Sequence, residues 1–270
     1  MDPVPIIFTD IDGTLIDLST YDSQFTQPRV SRLLTKKVPI VLCSSKTCWE
    51  QLFYQQLFRL ADPFIVENGS AIYIPRGYFD FKIPFDRCTE AYGVMVLGVP
   101  ALEIEACLQV IREETGLTFS TYQDFSVDEI CRITALPPEQ AALARQREFS
   151  ATILTPLSST DHARLVSSLA EVGLQILAGG RFHTVTAASA DKGKAVNRLK
   201  ALFHQKFGVI QTIGLGDSAN DYALLEAVDQ AYLVQRPDGA WDEPRGIPVI
   251  KVPGIGPAGW RIVAEQIFPV

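Results

Sequence analysis

Five short runs, at residues 4–9, 38–43, 63–66, 209–214 and 231–234, are apolar almost throughout, with no alternation of polar and apolar positions. A strand of that kind has to be covered on both faces, which parallel sheets achieve with crossover helices. Helical patterns fall between the runs where crossovers are needed, at 28–37, 47–60, 191–207 and 219–227. The spacing predicts an α/β fold whose doubly wound, Rossmann-like parallel sheet is built from the two ends of the chain.

The middle of the chain follows another pattern. A strand at 92–98 precedes helices at 101–114, 126–134 and 137–147; a strand at 151–154, a helix at 161–172 and strands at 174–178 and 182–186 follow. This reads as an inserted α/β module, with residues 1–85 and 188–270 forming the core and 86–187 the insertion. A hairpin at 71–77 leads out of the first half. The Gly/Pro-rich stretch at 253–260 reads as a loop before a last helix.

Composition narrows the function classes. The chain has 47% hydrophobic and 20% charged residues, a globular balance that excludes disorder. It has no apolar stretch near the roughly 20 residues that cross a bilayer, and its first residues lack the pattern of a secretory leader. Its five cysteines are odd in number and show no CxxC pair, which predicts reduced thiols and a cytoplasmic protein. With a formal charge of −7 and no basic stripe, nucleic acid is not an expected partner. A small anionic ligand is still compatible, because it needs only local positive charge. Nothing in the composition specifies an oligomeric state.

Chemistry gathers at the ends of the predicted strands, where open parallel sheets bind their ligands. Asp10 and Asp12, in Asp10-Ile11-Asp12-Gly13-Thr14, follow the first run. Ser44 follows the second, and Asp217, Asn220 and Asp221 follow the run at 209–214. Lys192 opens a helix entering the same edge. Two carboxylates one residue apart suit attack on phosphorus, with Asp10 as nucleophile and Asp12 as the acid that protonates the leaving oxygen and then activates water. Phosphoryl oxygens carry spread negative charge that needs neutralising. Mg²⁺ fits, with Asp10 and Asp217 as the carboxylate pair and Asp12 and Asp221 completing the candidate metal residues. Ser44, Lys192 and Asn220 are the candidate phosphate-binding groups. The set predicts a magnesium-dependent phosphatase.

In Asp10–Leu15, Ser44, Lys192-Gly193 and Gly214–Asp221 the chain is similar to the haloacid dehalogenase-like hydrolase superfamily. Glu67-Asn68-Gly69 and the insertion at 86–187 resemble the branch with an α/β cap between the second and third motifs, which includes sugar-phosphate phosphatases. That resemblance implies a cap that closes over substrate as a lid. Cys43-Ser44-Ser45-Lys46-Thr47, Arg145–Phe149, Gly180-Arg181-Phe182-His183 and Gly256–Trp260 resemble the mannosyl-3-phosphoglycerate phosphatase family. This implies hydrolysis of mannosyl-3-phosphoglycerate to phosphate and mannosylglycerate, a compatible solute. Ser45-Lys46 stands where many related phosphatases have Gly-Arg, a departure that agrees with this group. A substrate with a phosphate and a glycerate carboxylate calls for extra cations, and Lys46, Arg147 and Arg181 are the candidate substrate-binding residues. His183 sits in a strand pattern and reads as structural. The alternatives are a glucosyl-3-phosphoglycerate or other sugar-phosphate phosphatase, a phosphomutase, and a catalytically idle sugar-phosphate sensor. Sugar epimers differ in one hydroxyl orientation, which no short motif reveals.

Overall fold

The computed structural model describes residues 2–179, 182–242 and 246–268. The first half of the chain contains β1 (Val4–Thr9), α1 (Gln27–Thr35), β2 (Ile40–Leu42), α2 (Cys48–Phe58), β3 (Phe64–Val66), β4 (Ala71–Pro75), β5 (Arg87–Cys88) and β6 (Tyr92–Val96). There follow α3 (Ala101–Thr115), α4 (Val127–Thr134), α5 (Pro138–Arg145), β7 (Ala151–Ile153), α6 (Ser159–Glu171), β8 (Leu174–Ala178) and β9 (His183–Ala187). The last part holds α7 (Lys192–Phe207), β10 (Ile210–Gly216), α8 (Tyr222–Glu226), β11 (Gln230–Gln235), β12 (Ile250–Ile255) and α9 (Pro257–Ile267).

The core is a five-stranded parallel sheet in the order β12-β11-β10-β1-β2. β1 lies between β10 and β2, with Phe8 opposite Gly214 and Val41. Successive side chains of β1 enter opposite apolar layers, which is why the run shows no alternation. Ile7, Ile40, Leu42 and Ile213 pack with Val30, Leu33, Phe58 and Trp260 from α1, α2 and α9. Ile6, Phe8, Val41 and Leu233 pack with Ala195, Leu199, Phe203 and Leu224 from α7 and α8.

Five elements differ from the sequence expectation. The stretch at 253–260 is not all loop: Ile250–Ile255 forms β12, parallel to β11. As an edge strand it tolerates Pro253 and leaves Ile250 half exposed, so it lacks the signature of a buried strand. The third apolar run, β3, meets β2 at a single parallel bridge, Cys43 to Ile65, and pairs antiparallel with β4. Two strands of the segment expected to be an insertion, β5 and β6, extend that antiparallel sheet in the order β3-β4-β6-β5. The helix expected at 219–227 splits into a 3-10 turn at Ala219–Asp221 and the short α8. The Asp221 carboxylate accepts the N–H groups of Asp217 and Ser218, which holds that first turn tight.

Residues beyond β6 build a smaller unit around the antiparallel sheet β7-β9-β8. Ala151, Ile153 and Val185 face a core completed by Ile104 and Leu108 of α3 and by Leu165 and Leu169 of α6. The intervening Thr152 and Thr184 therefore point to the other face, and their hydroxyls meet at 3.2 Å. His183 lies against His162, with ring centroids 5.0 Å apart.

The terminal helix holds the first strand in place. Trp260 is 1% exposed, and its indole N–H donates to Thr9 Oγ1, whose hydroxyl donates to the carbonyl of Asp10. Replacing it with alanine removes a large buried ring, so Trp260→Ala should lower unfolding stability by about 3–5 kcal/mol in chemical denaturation. A loss under about 1 kcal/mol would show that α9 is dispensable to the core.

Candidate active site

Asp10 leaves β1 at its carboxyl end, where its N–H donates to the carbonyl of Leu215 at 3.0 Å. Asp217 and Asp221 come from the turn after β10, and Lys192 from the first turn of α7, whose N-cap Asp191 accepts the N–H of Lys194. One buried ammonium joins them: Lys192 Nζ donates to Asp10 Oδ1 at 2.7 Å and to Asp221 Oδ1 at 2.6 Å. Gly13 allows the acidic loop to close on this cluster. It has φ +75°, and a Cβ there would stand 2.8 Å from Asp217 Oδ2.

Asp10, Asp217 and Asp221 each offer an oxygen within 4.8 Å of the others. Burial, aided by Asp221, pushes the Asp10 carboxyl up to about 7 despite the lowering effect of Lys192. Burial followed by Asp221 and Asp10 likewise holds Asp217 well above the usual carboxylate range. Burial opposes the charge on Lys192, but Asp10 and Asp221 outweigh it and hold its pKa well above the ordinary lysine value. Three carboxylates thus face one ammonium. An all-oxygen donor set with negative charge in excess fits a hard divalent cation such as Mg²⁺.

Asp12, expected among the metal residues, turns its carboxylate elsewhere. Its Oδ2 lies 3.0 Å from Lys46 Nζ, which is also 3.5 Å from Glu50 Oε1. Lys46 is buried, and burial's opposition to its charge is outweighed by Asp12 and Glu50, so its pKa stands well above the ordinary value. The lysine expected to meet a substrate anion is thus already paired with two carboxylates. Ser44 is buried, its Oγ accepting the N–H of Lys46 at 3.3 Å, while the neighbouring Ser45 lines the cavity. Asn220 lines it too, its Oδ1 accepting the Ser218 hydroxyl. Arg181 lies outside the described residues.

The cavity runs from Asp10, Asp12 and Asp217 to Tyr122, Arg147, Thr152 and Thr184 of the smaller unit. Arg147, beyond the end of α5, has its guanidinium carbon 5.3 Å from the Tyr122 ring centroid; its Nη1 donates to the carbonyl of Ser45 and to Ser150 Oγ. Thr152, Thr184 and Tyr122 escaped the sequence reading. The alternation Thr184-Val185-Thr186 was the available signal, since it gives one strand a hydroxyl face.

Glu67, quoted above only for its family pattern, proves to be a joint. Its backbone is left-handed at φ +49°, and Asn68 and Gly69 continue at +59° and +92°. Its buried carboxylate accepts the N–H groups of Glu148 and Phe149 at 2.9 and 3.1 Å and the hydroxyl of Ser150. At Gly69 a Cβ would come within 2.1 Å of the carbonyl oxygen of Asp191, beside Lys192. One turn therefore touches both the smaller unit and the start of the helix that carries the lysine.

Comparison with known proteins agrees with this arrangement. Residues 7–92 match the model of a haloacid dehalogenase-like hydrolase family. Over 257 residues the chain is 36% identical to a glucosyl-3-phosphoglycerate/mannosyl-3-phosphoglycerate phosphatase of Methanococcoides burtonii, covering 95% of this chain and 94% of the relative. It is 33% identical, with the same coverage, to the protein of that name from Persephonella marina. Among solved structures, a haloacid dehalogenase-like hydrolase from Bacteroides thetaiotaomicron has the same fold at a TM-score of 0.68 and 16% identity, covering 98% of this chain and 99% of its own. A sugar phosphatase of subclass IIB superposes at 0.59 with 17% identity, covering 87% and 89%. The chain belongs to the haloacid dehalogenase-like hydrolases, in the phosphatase family that the Methanococcoides and Persephonella proteins represent.

Proposed function

We propose that this protein is a cytoplasmic, Mg²⁺-dependent phosphomonoesterase that hydrolyses mannosyl-3-phosphoglycerate to mannosylglycerate and phosphate, with the glucosyl ester as a second substrate. The observation that carries the reading is the single cavity lined by Asp10, Asp12 and Asp217 at one end and by Arg147 and the threonine face of the smaller unit at the other. A phosphate seated at the carboxylates leaves the glycerate carboxylate and the sugar for the far end, where a guanidinium and hydroxyls suit them. Both names carried by the two relatives support this substrate class, and five unpaired cysteines support the compartment.

Asp10 attacks phosphorus and forms an aspartyl phosphate as the bond to the glycerate oxygen breaks. Asp12 supplies the proton to that oxygen and then takes one from the attacking water. Lys192, within hydrogen-bond reach of Asp10, meets the phosphoryl charge, and Ser45 and Asn220, which line the cavity, border it, with Ser44 buried behind Ser45. Asp10, Asp217 and Asp221 would hold Mg²⁺, which when bound supplies positive charge to the phosphoryl oxygens. The unit from about residue 99 to 188 acts as the cap that selects the leaving group.

Phosphate release should therefore be highest from the mannosyl and glucosyl esters among sugar phosphates, and should vanish with chelator or in Asp10→Asn. Arg147→Ala should raise KM for these esters at least about tenfold while leaving a small aryl phosphate nearly unchanged. Equal losses on both substrates would remove Arg147 from specificity, and a preferred substrate without a glycerate would overturn the substrate assignment.

Metal binding has a pH signature. Because the folded metal-free protein raises the pKa of Asp10 to about 7, it binds more protons than the unfolded chain between about pH 4 and 7, so this group's contribution to stability falls as pH rises through that window. Mg²⁺ competes with that proton. The rise in Tm on adding Mg²⁺ should therefore be larger at pH 8 than at pH 6, and a shift independent of pH would contradict the carboxylate site.

A further inference from the structure

We propose that Glu67 is a positioning residue for specificity: through the hydroxyl of Ser150 it holds the guanidinium of Arg147 ready for the glycerate carboxylate of the substrate. The inference rests on the reading of Arg147 as the group that binds that carboxylate. Glu67 is fully buried, and its turn is fixed from the core side. Its N–H donates to the carbonyl of Lys46, and that of Asn68 to the carbonyl of Ser44, both at 3.0 Å. Its left-handed backbone, at φ +49°, is a conformation that a residue other than glycine keeps only when its surroundings impose it. The side chain thus starts from a fixed point at the end of β3 and ends on residues 148–150.

An ionised carboxylate can only accept hydrogen bonds. Oε1 accepts the N–H of Glu148 at 2.9 Å, and Oε2 accepts the N–H of Phe149 at 3.1 Å and the hydroxyl of Ser150. Ser150 has a single hydroxyl hydrogen, and giving it to Glu67 leaves only lone pairs for its other neighbour. That neighbour is Arg147, whose Nη1 donates to Ser150 Oγ at 3.0 Å and to the carbonyl of Ser45 at 3.1 Å. Glu67 therefore sets the polarity of a relay that ends on a guanidinium lining the cavity. An arginine already held in place loses less rotamer freedom on meeting an anion than one that must first be ordered. Fastening the segment to the core is a separate matter, because other contacts do it. The Glu148 carboxylate accepts the hydroxyl of Tyr73 and an N–H of Arg87, both at 2.6 Å, and its carbonyl accepts the N–H of Ala101 at 2.8 Å. Phe149 is buried in the layer that contains Phe64. What Glu67 adds to these is the orientation of Ser150 and, through it, of Arg147.

Kinetics on two esters separates this role from a structural one. Glu67→Gln places an amide N–H₂ where a carboxylate oxygen had met a donor. It should raise KM for mannosyl-3-phosphoglycerate about tenfold while leaving p-nitrophenyl phosphate, which has no carboxylate, nearly unchanged. Ser150→Ala, which removes the relay itself, should act in the same way. In the Arg147→Ala background neither substitution should raise KM further, because the group they position is gone. Additive losses in that background, or equal losses on both esters, would overturn the proposal in favour of a structural anchor. Arg147→Ala by itself locates a failure. If it leaves KM for the glycerate ester intact, the reading of Arg147 falls and the proposal with it; if it raises KM and Glu67→Gln does not, only the positioning role falls. Should Glu67→Gln not fold, Ser150→Ala, alone and combined with Arg147→Ala, gives the same comparison, and additive losses overturn the proposal there too.

Discussion

Everything at this site is arranged around the ammonium of Lys192. It is 1% exposed and bridges Asp10 from the first strand to Asp221 from the turn after β10, segments separated by most of the chain. A buried charge is tolerable only when it is paired and hydrogen-bonded. Here pairing one cation with two carboxylates, and placing a third beside them, leaves negative charge over. The protein thus keeps a site in which burial opposes ionisation of Asp10 and Asp217. On the proposed reading, a divalent cation would stabilise such a site and match it to a phosphoryl group whose oxygens need the same positive field.

A second charged network stands apart from the first. Lys46, Glu50 and Asp12 form it, and Asp12 lies only two residues from Asp10 in sequence. Successive carboxylates on one loop are thereby sent to different partners: Asp10 to Lys192, Asp12 to Lys46. On the proposed reading, these surroundings give two similar groups different roles, one as the nucleophile and the other as the proton carrier. Gly13 follows them directly, and its left-handed backbone brings the loop onto Asp217. The turn at Glu67–Gly69 extends the same logic to the smaller unit, because a core carboxylate fastens the 148–150 segment.

Much of this was legible in the sequence. The central strands announced themselves, because only a strand covered on both faces is apolar throughout, and Asp10, Lys192, Asp217 and Asp221 fell at their ends as parallel-sheet geometry requires. The edge strand β12 did not, since half of it meets solvent and it contains Pro253 and Gly254. β5 and β6 were misplaced because strand pairing is a long-range property: nothing in the sequence of Tyr92–Val96 specifies β4 as its partner. At the site, Lys46 was legible as a candidate cation, and it does line the cavity. Its two carboxylate partners were not, because one comes from the acidic loop and the other from the next helical turn, and only the fold brings them together. Glu67 was hidden for the same reason, with its donors some eighty residues away.

On the proposed mechanism the Asp10 carboxylate, held by Lys192, attacks phosphorus. Mass spectrometry of enzyme acid-quenched during turnover on mannosyl-3-phosphoglycerate with Mg²⁺ tests it directly, by mapping the phosphoryl group along the chain. The account predicts a transient phosphoryl adduct on the peptide containing Asp10, with the group on Asp10 itself. An adduct on any other residue, or steady turnover in which no phosphoenzyme forms at any quench time, would contradict it.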